Sequence, residues 1–208
     1  MQSLSGTFSA SIPAVVLVFP LENGNYLVAN GGSNIWINAH LKLLDKSLPR
    51  FQAYRGSGYG VDMIKIDSIG LGANGLLPTN PPAQHIYGER VLAPCSGKIM
   101  KTVDGLADMT IPKIDAVNRA GNHVILCCGD VDVLLAHFGP QTIAVSTGTI
   151  VKVGVRIAEV ANSSTSNELH LHIHTQRFGT DDQPFSGDPL RIKFEGRFLV
   201  RCHRVISK

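Results

Sequence analysis

The sequence predicts an all-β protein, an antiparallel β-sandwich or barrel-sandwich hybrid with few or no helices. Its 208 residues include 21 glycines and 11 prolines, which indicates many turns, and only 17% of the residues are charged. No stretch keeps a helical hydrophobic period with caps at its ends, although residues 41–48 could form one or two helical turns. Hydrophobic residues make up 44% of the chain, enough to bury a substantial core. These observations together favour short strands joined by many turns.

The most informative predicted strand covers residues 168–176, where three aliphatic residues alternate with His170, His172 and His174. A period of two places the three imidazoles on one face of a strand and the aliphatic side chains on the other. A polar outer face would give the same pattern, but the chain has 8 histidines in all and three of them lie here. Imidazole is a common metal ligand and general base, so this face is a candidate functional site.

Short apolar runs bounded by turn residues predict three strands near the N-terminus, over residues 14–19, 26–29 and 34–41. The third run ends at His40. Residues 42–58 are polar and rich in turn residues, which predicts a loop. We therefore expect His40 at the end of a strand, beside a loop.

Alternation continues over residues 59–67, where Asp62 shares a face with two isoleucines. A carboxylate on an apolar face lies at the exposed end of the strand or is bound to a partner. Residues 68–87 contain several glycines and prolines and predict a long surface loop.

Three further β units are predicted in the second half of the chain. A strand, a Pro/Gly corner and another strand occupy residues 87–99, and a weak echo of this unit follows at 146–154. Residues 123–138 form the clearest hairpin, with Gly129-Asp130 at its tip, because glycine in the first position suits a type II′ turn. His137 lies near the end of that hairpin.

The four cysteines show no CxxC spacing and do not resemble a zinc knuckle or a dense disulfide framework. Cys127 and Cys128 are adjacent on a predicted strand and face opposite sides. We expect them to be buried as small hydrophobic residues. The remaining two are Cys95 and Cys202.

Several classes of function are disfavoured. The net charge is +3, and no basic run is interleaved with aromatic residues, so we expect no nucleic-acid partner. The apolar stretch at residues 12–21 contains two prolines and is too short to span a bilayer, and we expect neither a membrane-spanning segment nor a signal peptide in this chain. The motifs of helical zincins, serine hydrolases and nucleotide enzymes are absent from the sequence.

Six short motifs follow one another along residues 56–178. They are Tyr59-Gly60-Val61-Asp62, Ala93-Pro94-Cys95-Ser96-Gly97-Lys98-Ile99, Gly121-Asn122-His123-Val124, Leu134-Leu135-Ala136-His137, the corner at Gly148 and Gly154, and His170-Leu171-His172. In order and approximate spacing, this set resembles the lysostaphin-type zinc metalloendopeptidases, which include the LytM-like enzymes. Each motif alone is weak, whereas the set is fairly specific.

The resemblance implies a β fold whose site lies on the floor of a sheet, and cleavage of short peptides in bacterial peptidoglycan. It also implies a location in the cell envelope or outside the cell. Asp62 and His172 match zinc ligands of the family. His137 and His170 match the catalytic histidines that activate the attacking water and stabilise the oxyanion.

The resemblance also suggests a domain organisation. Residues 51–180 would form the lysostaphin-type core. Residues 1–50 would be an N-terminal β extension packed on that core, and residues 181–208 a C-terminal β tail, since both ends look similar to extensions of one subgroup of the family.

The chain departs from the family at one important position. The first zinc ligand of the family is a histidine four residues before the aspartate, and here that position is Gly58. His40 or His174 could supply the missing ligand. We favour His40, because His174 lies about 7 Å along the strand from His172.

Three hypotheses follow. The chain is an active zinc endopeptidase acting on peptidoglycan peptides, or a degenerate, metal-free relative that serves as a binding or scaffolding module in the envelope. The glycine-cornered β pattern is also similar to the barrel-sandwich carriers of sugar-phosphotransferase and lipoyl systems. The hairpin tip lacks a lysine, which argues against lipoylation, although two facing histidines could relay phosphate.

Overall fold

A computed structural model shows a protein built mainly of β-strands, as predicted. It describes residues 12–76, 78–113, 115, 117–164, 168–180 and 183–208, so residues 1–11 of the predicted N-terminal extension lie outside the described residues. The strands are β1 (Val15–Leu17), β2 (Gly24–Asn30), β3 (Val61–Ile66), β4 (Arg90–Leu92), β5 (Gly97–Val103), β6 (Asn122–Cys128), β7 (Val131–Phe138), β8 (Ile150–Val151), β9 (Arg156–Glu159), β10 (Leu171–Gln176), β11 (Pro189–Leu190), β12 (Ile192–Phe194) and β13 (Arg204–Ser207).

The helical segments among the described residues are short. The α-helix α1 covers Pro49–Gln52, and 3₁₀ turns cover Ala39–Leu44, Arg55–Tyr59 and Pro81–Ala83. Within this part of the chain, no helix is both long enough and apolar enough to cross a membrane.

One large antiparallel sheet carries the site. Its strand order is β13-β2-β3-β10-β7-β6-β5-β8, and β11 pairs with β10 outside this path. Two small pairs complete the fold, the parallel pair β1–β12 and the antiparallel pair β4–β9. The first and last long strands of the chain, β2 and β13, therefore belong to the same sheet as the predicted core.

Strand β10 occupies the middle of this sheet, between β3 and β7. In the register, His172 lies opposite Asp62 on one neighbour and Ala136 on the other. The aliphatic face of the β10 segment packs into the main core, where Leu171 and Ile173 are fully buried. The alternation in the sequence thus fixes which face carries the imidazoles.

The histidine face of β10 is also buried, which the alternating pattern did not predict. His172 and His174 are 6% and 1% exposed. The 3₁₀ turns at Ala39–Leu44 and Arg55–Tyr59 cover this face, because the His40 ring contacts that of His172 and the Ser57 hydroxyl reaches His174. The imidazoles therefore line an enclosed site.

The prediction of a strand over residues 34–41 is wrong. This segment forms a turn followed by the 3₁₀ turn that contains His40. Asn34 accepts backbone hydrogen bonds from residues 37 and 38, and the Asn38 side chain accepts one from the amide of His40. Asparagine favours such local bonds over strand pairing, and here they outweigh the strand preference of the intervening aromatic and β-branched residues.

Residues 42–58 were predicted as a loop, but they contain α1 and parts of two 3₁₀ turns. The other predicted strands are confirmed apart from shifts at their ends. The hairpin of β6 and β7 turns at Gly129, whose φ of 69° belongs to the region that glycine adopts readily.

The expectation for the cysteines is wrong. Cys128 forms a disulfide with Cys95, although the two are 33 residues apart in the chain, and Cys127 is only partly buried. Cys202 is exposed. Strand β6 carries Cys128 towards the segment between β4 and β5, a proximity that spacing in the sequence does not reveal.

Replacing Leu126 with alanine tests the core beneath the sheet. Leu126 lies in β6 and is fully buried, so the substitution should lower the free energy of unfolding by about 2–5 kcal/mol. Urea denaturation followed by circular dichroism measures this loss. Ile150→Ala is the control, because Ile150 is 80% exposed and its loss should change the free energy by less than about 0.5 kcal/mol. Equal losses in both variants would contradict the described packing.

Candidate metal centre

Asp62 on β3 is the centre of the candidate site. Its carboxylate is buried and faces the imidazole of His172, with 2.8 Å between Oδ1 and Nδ1. Asn30 on β2 donates a hydrogen bond from its amide to Oδ2, at 3.1 Å. The prediction that this acid is bound to a partner is therefore consistent with its surroundings, which come from both neighbouring strands.

His40 reaches the same carboxylate from the N-terminal part of the chain. Its Nε2 lies 3.1 Å from Oδ1 and 3.0 Å from Oδ2 of Asp62. Asn38 anchors the 3₁₀ turn by donating to the carbonyls of Gly32 and Gly60. These bonds tie the turn to the segment after β2 and to the residue before β3, which holds the imidazole in place.

Asn30 links these two parts of the site. Its side-chain carbonyl accepts a hydrogen bond from the amide of Ala39, while its NH₂ group donates to Asp62. Sequence reasoning identified neither Asn30 nor Asn38. Asparagine is common in turns, and nothing in the local sequence distinguishes one that orients a distant ligand.

His40, Asp62 and His172 each offer one ligand atom, and these atoms lie within 4.8 Å of one another. Two imidazole nitrogens and a carboxylate oxygen form a donor set that suits Zn²⁺. Catalytic zinc sites commonly have three protein ligands and keep one position open. The three residues therefore fit a catalytic zinc ion.

Gly58 and Gly60 lie near this cluster, and neighbouring side chains occupy the space that a Cβ atom would need at each position. A Cβ atom at Gly58 would lie 2.2 Å from Cδ2 of Leu44, so Leu44 fills the space beside the position that carries a histidine in the lysostaphin-type pattern. Leu44 belongs to the same 3₁₀ turn as His40. At Gly60, a Cβ atom would lie 2.7 Å from Cε1 of His172 and 3.0 Å from Cδ2 of His40. Glycine at this position allows the imidazoles to approach the backbone.

His174, the other candidate ligand in the sequence, lies in a different position. Its Nδ1 is 2.9 Å from Nε2 of His172, the nitrogen that faces away from Asp62. It therefore contacts the far side of a candidate ligand and is not part of the three-residue cluster.

His170 lies beside the cluster. Its Nδ1 donates a hydrogen bond to the carbonyl of Glu168 at 2.8 Å, and its Nε2 lies 3.6 Å from Oδ1 of Asp62. In a neutral ring, a proton on Nδ1 makes Nε2 the basic nitrogen. This nitrogen lies towards Asp62, and His170 lines the same cavity as the candidate ligands.

His137 completes the site, and its backbone has an unusual conformation. Its ring packs edge-on against that of His170, with 4.7 Å between centroids. The register between β6 and β7 shifts at this point, and His137 has a φ of 74°. Bulges of this kind redirect a side chain at the end of a ladder. Here the bulge directs His137 into the site.

The electrostatics keep the carboxylate ionised. Burial alone would raise the pKa of Asp62, but the neighbouring His40 and His170 outweigh burial and hold that pKa well below its usual range. Burial also disfavours the protonated ring of His40, yet the Asp62 carboxylate overcomes this effect and raises the pKa of His40.

The deeper histidines are neutral. Burial is the largest cause that lowers the pKa of His172, and it holds the pKa of His137 well below the usual range with a further contribution from neighbouring imidazoles. Metal ligation requires an imidazole without its second proton, and the lowered pKa of His172 favours this charge state.

The site opens into a cavity of about 450 Å³. The candidate ligands and both candidate catalytic histidines line it, together with aromatic residues from two other segments, Tyr54 and Phe185. The stacked rings of Tyr54 and Phe185 are 6.3 Å apart. The cavity is large enough for a short stretch of peptide at the cluster, and sequence reasoning did not identify its aromatic wall.

Replacing His137 with glycine and with alanine isolates the backbone contribution. Both changes remove the ring, but only glycine adopts a φ of 74° without a Cβ clash, so the glycine variant should be more stable by about 1 kcal/mol. Thermal or urea unfolding measures the difference. His123, whose φ is not positive, is the matched control, and there alanine should be the more stable residue. The same order at both positions would show that the bulge is not strained.

Comparisons with known proteins give matches only among solved structures. No protein-family model matches the chain, and no curated protein matches it. A structure of a putative glycyl-glycine endopeptidase LytM from Ruminococcus gnavus is 12% identical, with 88% of this chain and 56% of that chain covered and a TM-score of 0.45. The catalytic domain of lysostaphin from Staphylococcus simulans is 22% identical, with 55% and 84% covered and a TM-score of 0.34.

A zinc-containing peptidase from Vibrio cholerae is 14% identical, with 68% of this chain and 48% of that chain covered and a TM-score of 0.35. The chain spans about half the length of this protein, of the R. gnavus protein and of a matched lysostaphin structure. The R. gnavus and S. simulans structures are of the LytM and lysostaphin type, to which the sequence motifs are similar. At these identities and TM-scores the likeness says nothing about activity, which depends on the chemistry of the site.

Proposed function

We propose that this protein is a zinc-dependent metalloendopeptidase that cleaves peptides of bacterial peptidoglycan. One observation carries the proposal. His40, Asp62 and His172 converge within 4.8 Å of one another, and the candidate catalytic pair His137 and His170 lines the same cavity. A ligand set and a candidate base in one cavity are the parts that metal-assisted hydrolysis needs.

His40, Asp62 and His172 would hold the ion. A zinc ion bound by three protein ligands lowers the pKa of a coordinated water to about 7 and polarises a carbonyl group. His40 takes the role of the histidine that Gly58 cannot provide. Its position in the 3₁₀ turn, fixed by Asn38 and packed through Leu44, supports this assignment.

His170 is the proposed general base. Its Nε2 would accept a proton as the oxygen of water attacks the carbonyl carbon of the peptide. The same nitrogen would then deliver this proton to the leaving nitrogen as the C–N bond breaks, giving a carboxylic acid and an amine, and the remaining proton of the attacking water passes from the acid to the amine. His137, neutral and adjacent to His170, would donate an N–H to the carbonyl oxygen while that oxygen carries negative charge.

The substrate class and the location come from the motif resemblance. Lysostaphin-type enzymes act on peptidoglycan peptides, and we propose the same class of substrate here, in the cell envelope or outside the cell. We also propose that residues 51–180 form the catalytic core, with residues 1–50 as an extension and 181–208 as a tail. The extension is then part of the site, because it supplies His40.

Metal binding is the first test. Protein purified without a metal-affinity step should contain about one zinc ion per chain, and Asp62→Ala, His172→Ala and His40→Ala should each lose it, because a three-ligand site that loses one ligand binds zinc far more weakly. Elemental analysis measures the content. His203→Ala is the control, since His203 is exposed on another part of the surface and should keep its zinc. A wild-type protein without metal, even after zinc is added, would reject the mechanism and favour the metal-free binding module.

Cleavage is the second test. With purified peptidoglycan as substrate, His170→Ala should keep its zinc but release peptide fragments about 10²–10⁴-fold more slowly, as expected for the loss of a general base. Liquid chromatography and mass spectrometry of the soluble fragments measure the rate, with His203→Ala as control. If zinc-loaded wild-type protein releases no fragments, the proposed substrate is wrong. If His170→Ala cleaves at the wild-type rate, the assignment of the base is wrong.

A further inference from the structure

His174 is the third imidazole of the β10 face, and the mechanism above gives it no role. It is 1% exposed, so its ring was removed from water during folding. Its Nδ1 lies 2.9 Å from Nε2 of His172 and 3.1 Å from the Ser57 hydroxyl. Burying a polar ring costs free energy unless the ring is hydrogen-bonded. The contact with His172 connects His174 to the cluster of candidate ligands.

The proton positions of the His172 ring follow from its neighbours. The nitrogen facing Asp62 is Nδ1, at 2.8 Å, so this nitrogen would bind the metal. A neutral imidazole carries one proton. When the lone pair of Nδ1 is directed to a cation, that proton must lie on Nε2, and Nε2 faces Nδ1 of His174.

We infer that His174 is a positioning residue for the zinc site: its Nδ1 accepts the Nε2–H of His172 and thereby holds Nδ1 of His172 towards the metal. This inference rests on the proposed function, because it concerns the loaded site. Ligating histidines commonly donate their second N–H to a carbonyl or carboxylate, and here an imidazole nitrogen provides the acceptor. The Ser57 hydroxyl lies 3.1 Å from the same nitrogen, and in this tautomer it can only donate to Nδ1, which favours the unprotonated, accepting form of that nitrogen.

Two other roles for His174 fit the structure less well. To act as a fourth ligand, His174 would have to turn its Nδ1 from His172 towards the metal, or rotate its ring and lose the contact with Ser57. As a simple filler of the interior, it would be replaced by an apolar residue of the same shape without loss of metal affinity. The second role gives the sharpest experimental contrast.

Asparagine and leucine at position 174 form a matched pair. They have nearly the same shape, and the side-chain oxygen of asparagine can occupy the place of Nδ1 of histidine, whereas leucine offers no acceptor. Zinc affinity, measured by competition with a chromophoric chelator, should fall by about 10–100-fold in His174→Leu and remain near the wild-type value in His174→Asn.

Stability should rank the two variants in the opposite order. A buried amide that is only partly hydrogen-bonded costs free energy that leucine avoids, so His174→Leu should unfold at the same or a higher urea concentration than His174→Asn. A purely structural role would make zinc affinity follow stability. The opposite ranking therefore separates positioning from packing.

A spectroscopic measurement tests the hydrogen bond directly. In zinc-loaded wild-type protein labelled with ¹⁵N, the His172 proton should lie on Nε2, and a scalar coupling through the N–H···N bond should connect its nitrogen to Nδ1 of His174. The absence of this coupling, or equal zinc affinities in the two variants, would overturn the inference while leaving the zinc site intact. A wild-type protein that binds no zinc would instead overturn the proposed function, and the inference with it.

Discussion

The rest of the site depends on the buried negative charge of Asp62. A carboxylate removed from water is stable only when opposite charge or several hydrogen bonds surround it. Among the described residues, the ionisable side chains beside this carboxylate are all histidines, namely His40, His170 and His172, and Asn30 adds a neutral hydrogen bond. An imidazole can lose a proton near pH 7 and bind a metal ion through the freed nitrogen. Lysine and arginine lose their protons far less readily. Two of the residues that stabilise the carboxylate, His40 and His172, therefore form with Asp62 a cluster that could hold a divalent cation.

The sheet provides the precision that such a cluster needs. Strand β10 is paired on both sides, and register places His172 directly opposite Asp62. Its aliphatic face is anchored in the main core, so the ligand-bearing face cannot slip by one residue without exposing that core. The bulge at His137 is an irregularity in this pairing, and it directs the side chain into the site, where a regular strand would not. Regular pairing positions the ligand, and a local departure from it positions a catalytic candidate.

The N-terminal part of the chain contributes two neighbouring side chains to the site, Leu44 and His40. Leu44 occupies the space beside Gly58, and His40, from the same 3₁₀ turn, reaches the carboxylate. A histidine at position 58 would compete with Leu44 for space and would disturb the turn that carries His40. Gly58 thus leaves room for the turn that carries both Leu44 and His40. In the same way, the position of His174 behind His172 follows from the alternation of β10, which placed three imidazoles on one face.

The sequence by itself determined the local elements of this protein. Alternation identified the β10 strand and the common face of its histidines, and the glycine-first turn identified the hairpin of β6 and β7. The apolar neighbours of Asp62 indicated that it lies at an exposed strand end or is bound to a partner. These features depend on residues close together in the chain. Tertiary structure decided the rest. His40 and His172 lie 22 and 110 residues from Asp62, Cys95 pairs with Cys128 across the fold, and both faces of β10 are covered. Residues 34–41 became a turn because local asparagine bonds and the hydrogen bond from the Asn38 side chain to the carbonyl of Gly32 outweighed strand propensity. A periodic pattern shows which side chains share a face, but only the folded chain determines what covers that face.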